Sequence, residues 1–262
     1  MKKEDFKKRI QNKRETFREK AWYVIKPFLV YMVLKSMAML TLAIALPAIP
    51  IRGMTEWVET NSRLLSAVVN GVSSLVAVAF LLNDFLKETA TEGEVDIDAG
   101  IPRQLLAFFR KGFLGYGSVN GVGLAFCAVG GAVSAVVLNQ AILWIFALLQ
   151  IGSARYDSVE AVQYSVPLWL GILLYGVISP VVEEIVFRGI LYNRMKRFFC
   201  IPACVILTAV LFGVFHANLP QFVYGTCMGI LLALCYEREK CFAAPVFFHM
   251  AANLFVFIGS FL

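Results

Sequence analysis

The sequence predicts an all-α protein, a polytopic transmembrane helix bundle of about seven spans. Three observations predict it. Hydrophobic residues make up 59% of the 262 and charged residues 16%, against roughly 45–50% and about 25% in a typical soluble domain. A soluble fold of this size cannot bury so much apolar surface, so the excess faces lipid. The apolar residues also collect into about seven runs of near-spanning length, and the positive charges fall overwhelmingly on one side of those runs.

The chain opens with a charged segment. Ten of the 24 Lys and Arg lie in residues 1–26, interleaved with Glu4, Asp5, Glu15 and Glu19 and with Phe6, Ile10, Phe17 and Ala21 at helical spacing. This reads as a basic amphipathic helix on an anionic membrane surface. It also accounts for much of the net charge of +6, so a nucleic-acid interface is not expected. No A-x-A site follows the first apolar run, and no signal peptide is expected. The transmembrane domain then occupies 27–262.

The runs follow in order: Pro27 to Leu46 with Lys35 as its one charge, Leu64 to Leu82, and Phe113 to about Val137. The third carries Gly117, Gly121, Gly130 and Gly131, which lets neighbouring helices approach closely. A fourth run starts near Val166 and passes through Glu183 and Glu184. Ile201 to His216, Phe222 to Tyr236 and Ala243 to Leu262 complete the seven. The acidic segment Glu88 to Asp98 reads as a cytoplasmic loop without chemistry. Six cysteines (Cys127, Cys200, Cys204, Cys227, Cys235, Cys241) form no CxxC pair and read as small buried hydrophobes.

With seven spans and a cytoplasmic N-terminus, inside segments hold 20 Lys and Arg and outside segments three, Arg52, Arg63 and Arg155. The stretch Leu138 to Gly152 is apolar enough for an eighth span. A full crossing there would move Arg188, Arg194, Lys196 and Arg197 outside, against the positive-inside rule. It is therefore expected to be an additional re-entrant or interfacial helix.

An ionisable side chain inside a bilayer costs several kcal/mol and marks a functional site by default. Glu183, Glu184 and Arg188 lie on the fourth span, His216 ends the fifth, and His249 with Asn253 lies within the seventh; the chain has only these two histidines. If the fourth and fifth helices form a hairpin turning near Phe199 and Cys200, residues whose numbers sum to about 399 lie level, which pairs Glu183 with His216. Glu184 and Arg188 are i,i+4 neighbours and can cancel. Glu183 is then left without a counter-charge, so it must be neutral or share a proton with His216. A carboxylate and an imidazole sharing a water make a general base. The same residues could equally form a polar network that only clamps helices together.

The ordered set Glu183-Glu184-x-x-x-Arg188, Phe212-x-x-x-His216 and His249-x-x-x-Asn253 resembles the CAAX-protease and bacteriocin-processing family, which includes the type II CAAX prenyl endopeptidases. The strings Glu-Glu-Ile-Val-Phe-Arg-Gly (183–189) and Phe-Gly-Val-Phe-His (212–216) are similar to it as well. The resemblance covers 166–253 and implies an intramembrane endopeptidase. It implies that Glu183 activates water with help from His216, that His249 and Asn253 polarise the scissile carbonyl and hold the oxyanion, and that Glu184 and Arg188 support the site.

The expected substrate is a membrane-bound or lipidated peptide or protein. The alternative is a catalytically silent scaffold or bacteriocin self-immunity protein that binds a partner. The expected location is the cell membrane, multi-pass, with a cytoplasmic N-terminus. Glu183, His216 and His249 could also supply a two-His, one-carboxylate zinc set. No HExxH spacing exists, however, and with Glu184 spent on Arg188 no second carboxylate remains to orient the imidazoles. No cofactor is therefore the favoured expectation, with a divalent metal such as zinc as the alternative.

Overall fold

The computed structural model describes residues 17–45, 48–89, 101–109, 113, 121–150, 161–163 and 165–260. Among these, regular structure is helical throughout, with no strand. The elements are α1 (Phe17–Ala45), α2 (Met54–Thr60), α3 (Ser62–Thr89), α4 (Ile101–Ala107) and α5 (Gly121–Leu148). They continue as α6 (Leu168–Met195), α7 (Ile201–Phe215), α8 (Leu219–Glu239) and α9 (Ala243–Gly259). Helices α1, α3, α5, α6 and α8 are long and apolar enough to cross a bilayer, and α7 and α9 are shorter apolar helices. The chain is an integral membrane protein built as a polytopic helical bundle.

Large apolar side chains on the outside, such as Phe80, Phe126, Trp144 and Trp169, are more than 60% exposed. In a soluble protein that would be an untenable surface; here it is the lipid face. The interior is held by three principal pairings, α1 with α3, α5 with α9, and α7 with α8. Glycine sets the closest of them. A Cβ on Gly131 would stand 2.0 Å from the Phe248 carbonyl oxygen, and one on Gly229 would stand 2.9 Å from Ala209 Cα. Side chains there would push α5 off α9 and α8 off α7. Of the other glycines expected to serve close packing, Gly130 meets only the Phe248 ring and Gly121 faces open space, while Gly117 lies outside the described residues.

Two expectations are corrected. The third span continues to Leu148 rather than ending near Val137, and residues 114–120, near its expected start, lie outside the described residues. Residues 138–148 are therefore its last turns, not a separate re-entrant or interfacial helix. No glycine or proline interrupts the run from Ala132 to Leu148, so nothing stops the helix. Glu88 likewise belongs to α3 rather than to a loop. Its carboxylate takes hydrogen bonds from Arg194 Nε (3.0 Å), Arg197 Nη2 (2.6 Å) and Tyr23 Oη (2.7 Å), which extends the helix beyond its apolar run. The rest of the acidic segment lies outside the described residues. At the other end of the chain, α1 passes through Lys26 without a break, and residues 1–16 of the basic segment also lie outside them.

A cluster of charged residues gathers around the turn between α6 and α7. Buried Arg194 reaches Asp84 (2.8 Å), Glu88 and the Tyr23 carbonyl oxygen (2.9 Å), tying α6 to α3 and α1. Lys196 and Lys240 both pair with Glu237. Lys35, Glu183, His216 and His249 line a separate cavity.

Candidate active site

Helix α6 carries the paired glutamates on a modified backbone. A six-residue α-helical segment, Ser179–Glu184, is flanked by two π-helical stretches, Ile172–Ile178 and Ile185–Tyr192. Pro180 has no N–H and its ring crowds the carbonyl four residues back, and the wider π turn before it accommodates both effects. Such turns recur at functional sites.

The hairpin of α6 and α7 has the expected register. The rings of Phe187 and Phe212 meet edge to face at 5.0 Å, and their numbers also sum to 399. Glu183 and His216 are accordingly brought to one cavity of about 810 Å³, which His249, Asn253, Ser179, Tyr175, Phe212 and Lys35 also line. Helix α7 stops at His216 because Ala217 takes a left-handed conformation (φ 58°) and Asn218 caps α8 by accepting from the Gln221 backbone N–H at 3.0 Å. Two residues thus suffice to turn the chain, and His216 sits at the end of its helix facing the cavity.

Hydrogen bonds define the imidazoles. His249 Nδ1 donates to Glu184 Oε1 at 2.8 Å, because a carboxylate can only accept. Its Nε2 then faces Glu183 Oε2 at 3.7 Å, too far for a direct hydrogen bond and suited to a shared water or substrate atom. His216 Nδ1 donates to the Phe212 carbonyl oxygen at 2.9 Å, which leaves its Nε2 with a lone pair. Ser179 Oγ donates to Glu183 Oε1 at 2.5 Å, so one oxygen of Glu183 is held and the other is turned to His249.

Arg188 pairs with Glu184 at 2.9 Å as its i,i+4 spacing requires, and both residues are 0% exposed. Its Nη2 also donates to the Gly229 carbonyl oxygen at 2.9 Å, fastening α6 to α8. The Phe212 ring underlies this group, 5.0 Å from the Arg188 guanidinium and 5.7 Å from the His249 ring. Asn253 Nδ2 donates to the Tyr175 carbonyl oxygen at 3.1 Å, tying α9 to the first π stretch.

All six residues singled out in the sequence therefore meet at or beside one cavity. One inference drawn from the sequence needs correction. Pairing with Arg188 does not use up Glu184, since the same Oε1 accepts from both Arg188 and His249, so a carboxylate does orient one imidazole. Among the described residues no three His, Cys, Asp or Glu side chains converge as a metal-binding group.

Sequence reasoning passed over Ser179, whose i−4 relation to Glu183 was a usable signal. It placed Lys35 in a span but gave it no partner. Nothing in the sequence pointed to the Gly229 carbonyl.

Residues 165–255 match the family model described as "Type II CAAX prenyl endopeptidase Rce1-like". The chain is 26% identical over 251 residues to the protein named "Putative membrane peptidase YdiL" of Bacillus subtilis (strain 168), an alignment covering 92% of this chain and 89% of that one. It is 27% identical over 143 residues to "Membrane-embedded CAAX protease MroQ" of Staphylococcus aureus (strain USA300), covering 52% of this chain and 55% of that one. No solved structure matches the chain. The matched segment spans all three motifs and every residue of the cavity that carries a carboxylate or an imidazole. Residues 165–255 are thus similar to the Rce1-like type II CAAX prenyl endopeptidases, and most of the chain is similar to a putative membrane peptidase.

Proposed function

We propose that this protein is an intramembrane endopeptidase that hydrolyses a peptide bond of a membrane-associated or lipidated peptide or protein with a water activated by Glu183. The observation that carries the reading is the 3.7 Å gap between Glu183 Oε2 and His249 Nε2, within a cavity that His216 and Asn253 also line. A structural clamp would close such a gap with a direct hydrogen bond, as Glu184 does with His249 on its other side.

Glu183 takes a proton from water, and His216 Nε2 accepts the other hydrogen bond of that water and aims it. The hydroxide adds to the scissile carbonyl carbon. His249, as the imidazolium, donates Nδ1–H to Glu184 and Nε2–H to the developing oxyanion, and the Asn253 amide supplies a second donor from the N–H that Tyr175 does not take. Glu183 then returns its proton to the leaving amine as the C–N bond breaks. No metal takes part. Glu184 and Arg188 cancel one another and hold His249.

We place the N-terminus in the cytoplasm and the protein in the cell membrane, on the charge asymmetry. The test of the function is substrate trapping. Native membranes carrying a Glu183→Ala variant should accumulate uncut peptides that wild-type membranes lack. Identical peptide contents in the two would instead favour a silent scaffold.

A further inference from the structure

Lys35 is the single charge between Lys26 and Arg52. It lies nine residues beyond Lys26 on α1, about 13 Å along the axis at roughly 1.5 Å per residue, near the middle of a hydrocarbon core about 30 Å thick. A cation at that depth is expensive unless it faces a cavity or a counter-charge. Lys35 faces the cavity, as the only Lys or Arg among the described residues that line it.

The ammonium stands 4.8 Å from the Phe215 ring centroid and 5.7 Å from that of Tyr31. These rings attract a cation without neutralising it. Among the described residues no carboxylate lies within ion-pair distance of it. Glu183 shares the cavity, but its Oε1 is taken by Ser179. A direct clasp between Lys35 and Glu183 would also occupy the lone pairs that the base needs. The other nearby cation, Arg188, is spent on Glu184 and the Gly229 carbonyl. Lys35 is thus a compact charge with three N–H donors beside a cavity whose lining also offers the neutral polar groups of Asn70, Asn139 and Gln221, with Glu183 as its one carboxylate among the described residues.

We propose that Lys35 is an anion subsite of this cavity that takes a carboxylate of the bound peptide, supplied by a free C-terminus or by an acidic side chain. The inference rests on the peptidase reading and extends it to a residue outside the segment shared with the family. A point-charge ammonium suits one carboxylate oxygen reached over a range of positions, where an arginine fork would demand a single planar geometry.

The test uses the full-length protein in detergent micelles and synthetic peptide libraries carrying an S-alkylated cysteine. One pair of libraries differs only in a C-terminal acid or amide, the other only in Asp or Asn at a randomised position. Wild-type protein should cleave the acid member of one pair about 10-fold faster in kcat/KM, chiefly through KM, as expected for one charge-assisted hydrogen bond. Whichever pair discriminates names the source of the carboxylate. Lys35→Met should bring that ratio close to one, and Lys35→Arg, which keeps the charge but not the free placement of the ammonium, should keep only part of it. An equal loss on both members of both pairs, or a wild-type protein indifferent to both, overturns the subsite.

If wild-type protein cleaves neither library, the peptidase reading fails, and the subsite is then judged by binding. Glu183→Ala protein should retain the acid peptides over their neutral partners, and Glu183→Ala/Lys35→Met should not. Equal retention by the two proteins, or none by either, overturns it.

Discussion

Glu184 and His249, 65 positions apart in sequence, are joined by a 2.8 Å hydrogen bond between Oε1 and Nδ1 at a point where Glu184 is wholly buried. The bond sets which ring nitrogen faces Glu183. Glu184→Gln keeps an oxygen that can accept from Arg188 and His249 but removes the charge. Cleavage per mole of monodisperse protein should fall on the order of 10–100-fold, the usual cost of losing a group that orients a functional histidine. Unchanged turnover would show that the bond only packs α9 against α6.

Arg188→Ala should behave differently. It strands Glu184 as a buried carboxylate and cuts the link from α6 to the Gly229 carbonyl. Breaking one half of a buried pair costs about 3–5 kcal/mol, so the yield of inserted, monodisperse protein should drop together with activity. Size-exclusion profiles and specific activity measured side by side check this. Normal yield with normal turnover would mean that the pair carries no load.

Much of this architecture could be read from the sequence because its signals are local. Seven apolar runs mark seven helices, the i,i+4 spacing of Glu184 and Arg188 is an observed ion pair, and a short basic turn places Glu183 opposite His216. What could not be read depends on how one helix is rotated against another. The second bond of Glu184 needs α9 turned so that His249 reaches α6. The π stretches around Pro180 widen the helix by a register change that residue spacing does not reveal. Lys35 was visible as an intramembrane charge, yet only the packing of α1 beside α7 sets it over Phe215 and on the rim of the cavity. Helix α5 extends past its expected end because no glycine or proline interrupts the sequence from Ala132 to Leu148.

The orientation is tested by reporter fusions. The 20-to-3 division of Lys and Arg predicts that reporters placed after Lys240 and at Leu262 lie on opposite sides of the membrane, the first cytoplasmic. Both on one side would mean that α9 does not cross.

A metal-free mechanism makes a further demand. Purified protein should retain its cleavage rate after exhaustive treatment with a strong zinc chelator, and elemental analysis should find well under one metal ion per chain. Loss of activity on chelation, restored by added zinc, would convert Glu183, His216 and His249 into ligands.

The central claim is that the Glu183 carboxylate is the base. Its most direct measurement is peptide cleavage by purified, reconstituted wild-type protein compared with Glu183→Gln, a substitution that keeps the shape and the hydrogen bond to Ser179 while removing basicity. His216→Ala serves as the companion that removes the assisting imidazole. The account predicts that Glu183→Gln inserts and purifies like wild type while cleavage falls by at least about 10²–10⁴-fold, the share of a positioned general base. Glu183→Gln protein that cleaves at the wild-type rate would contradict it.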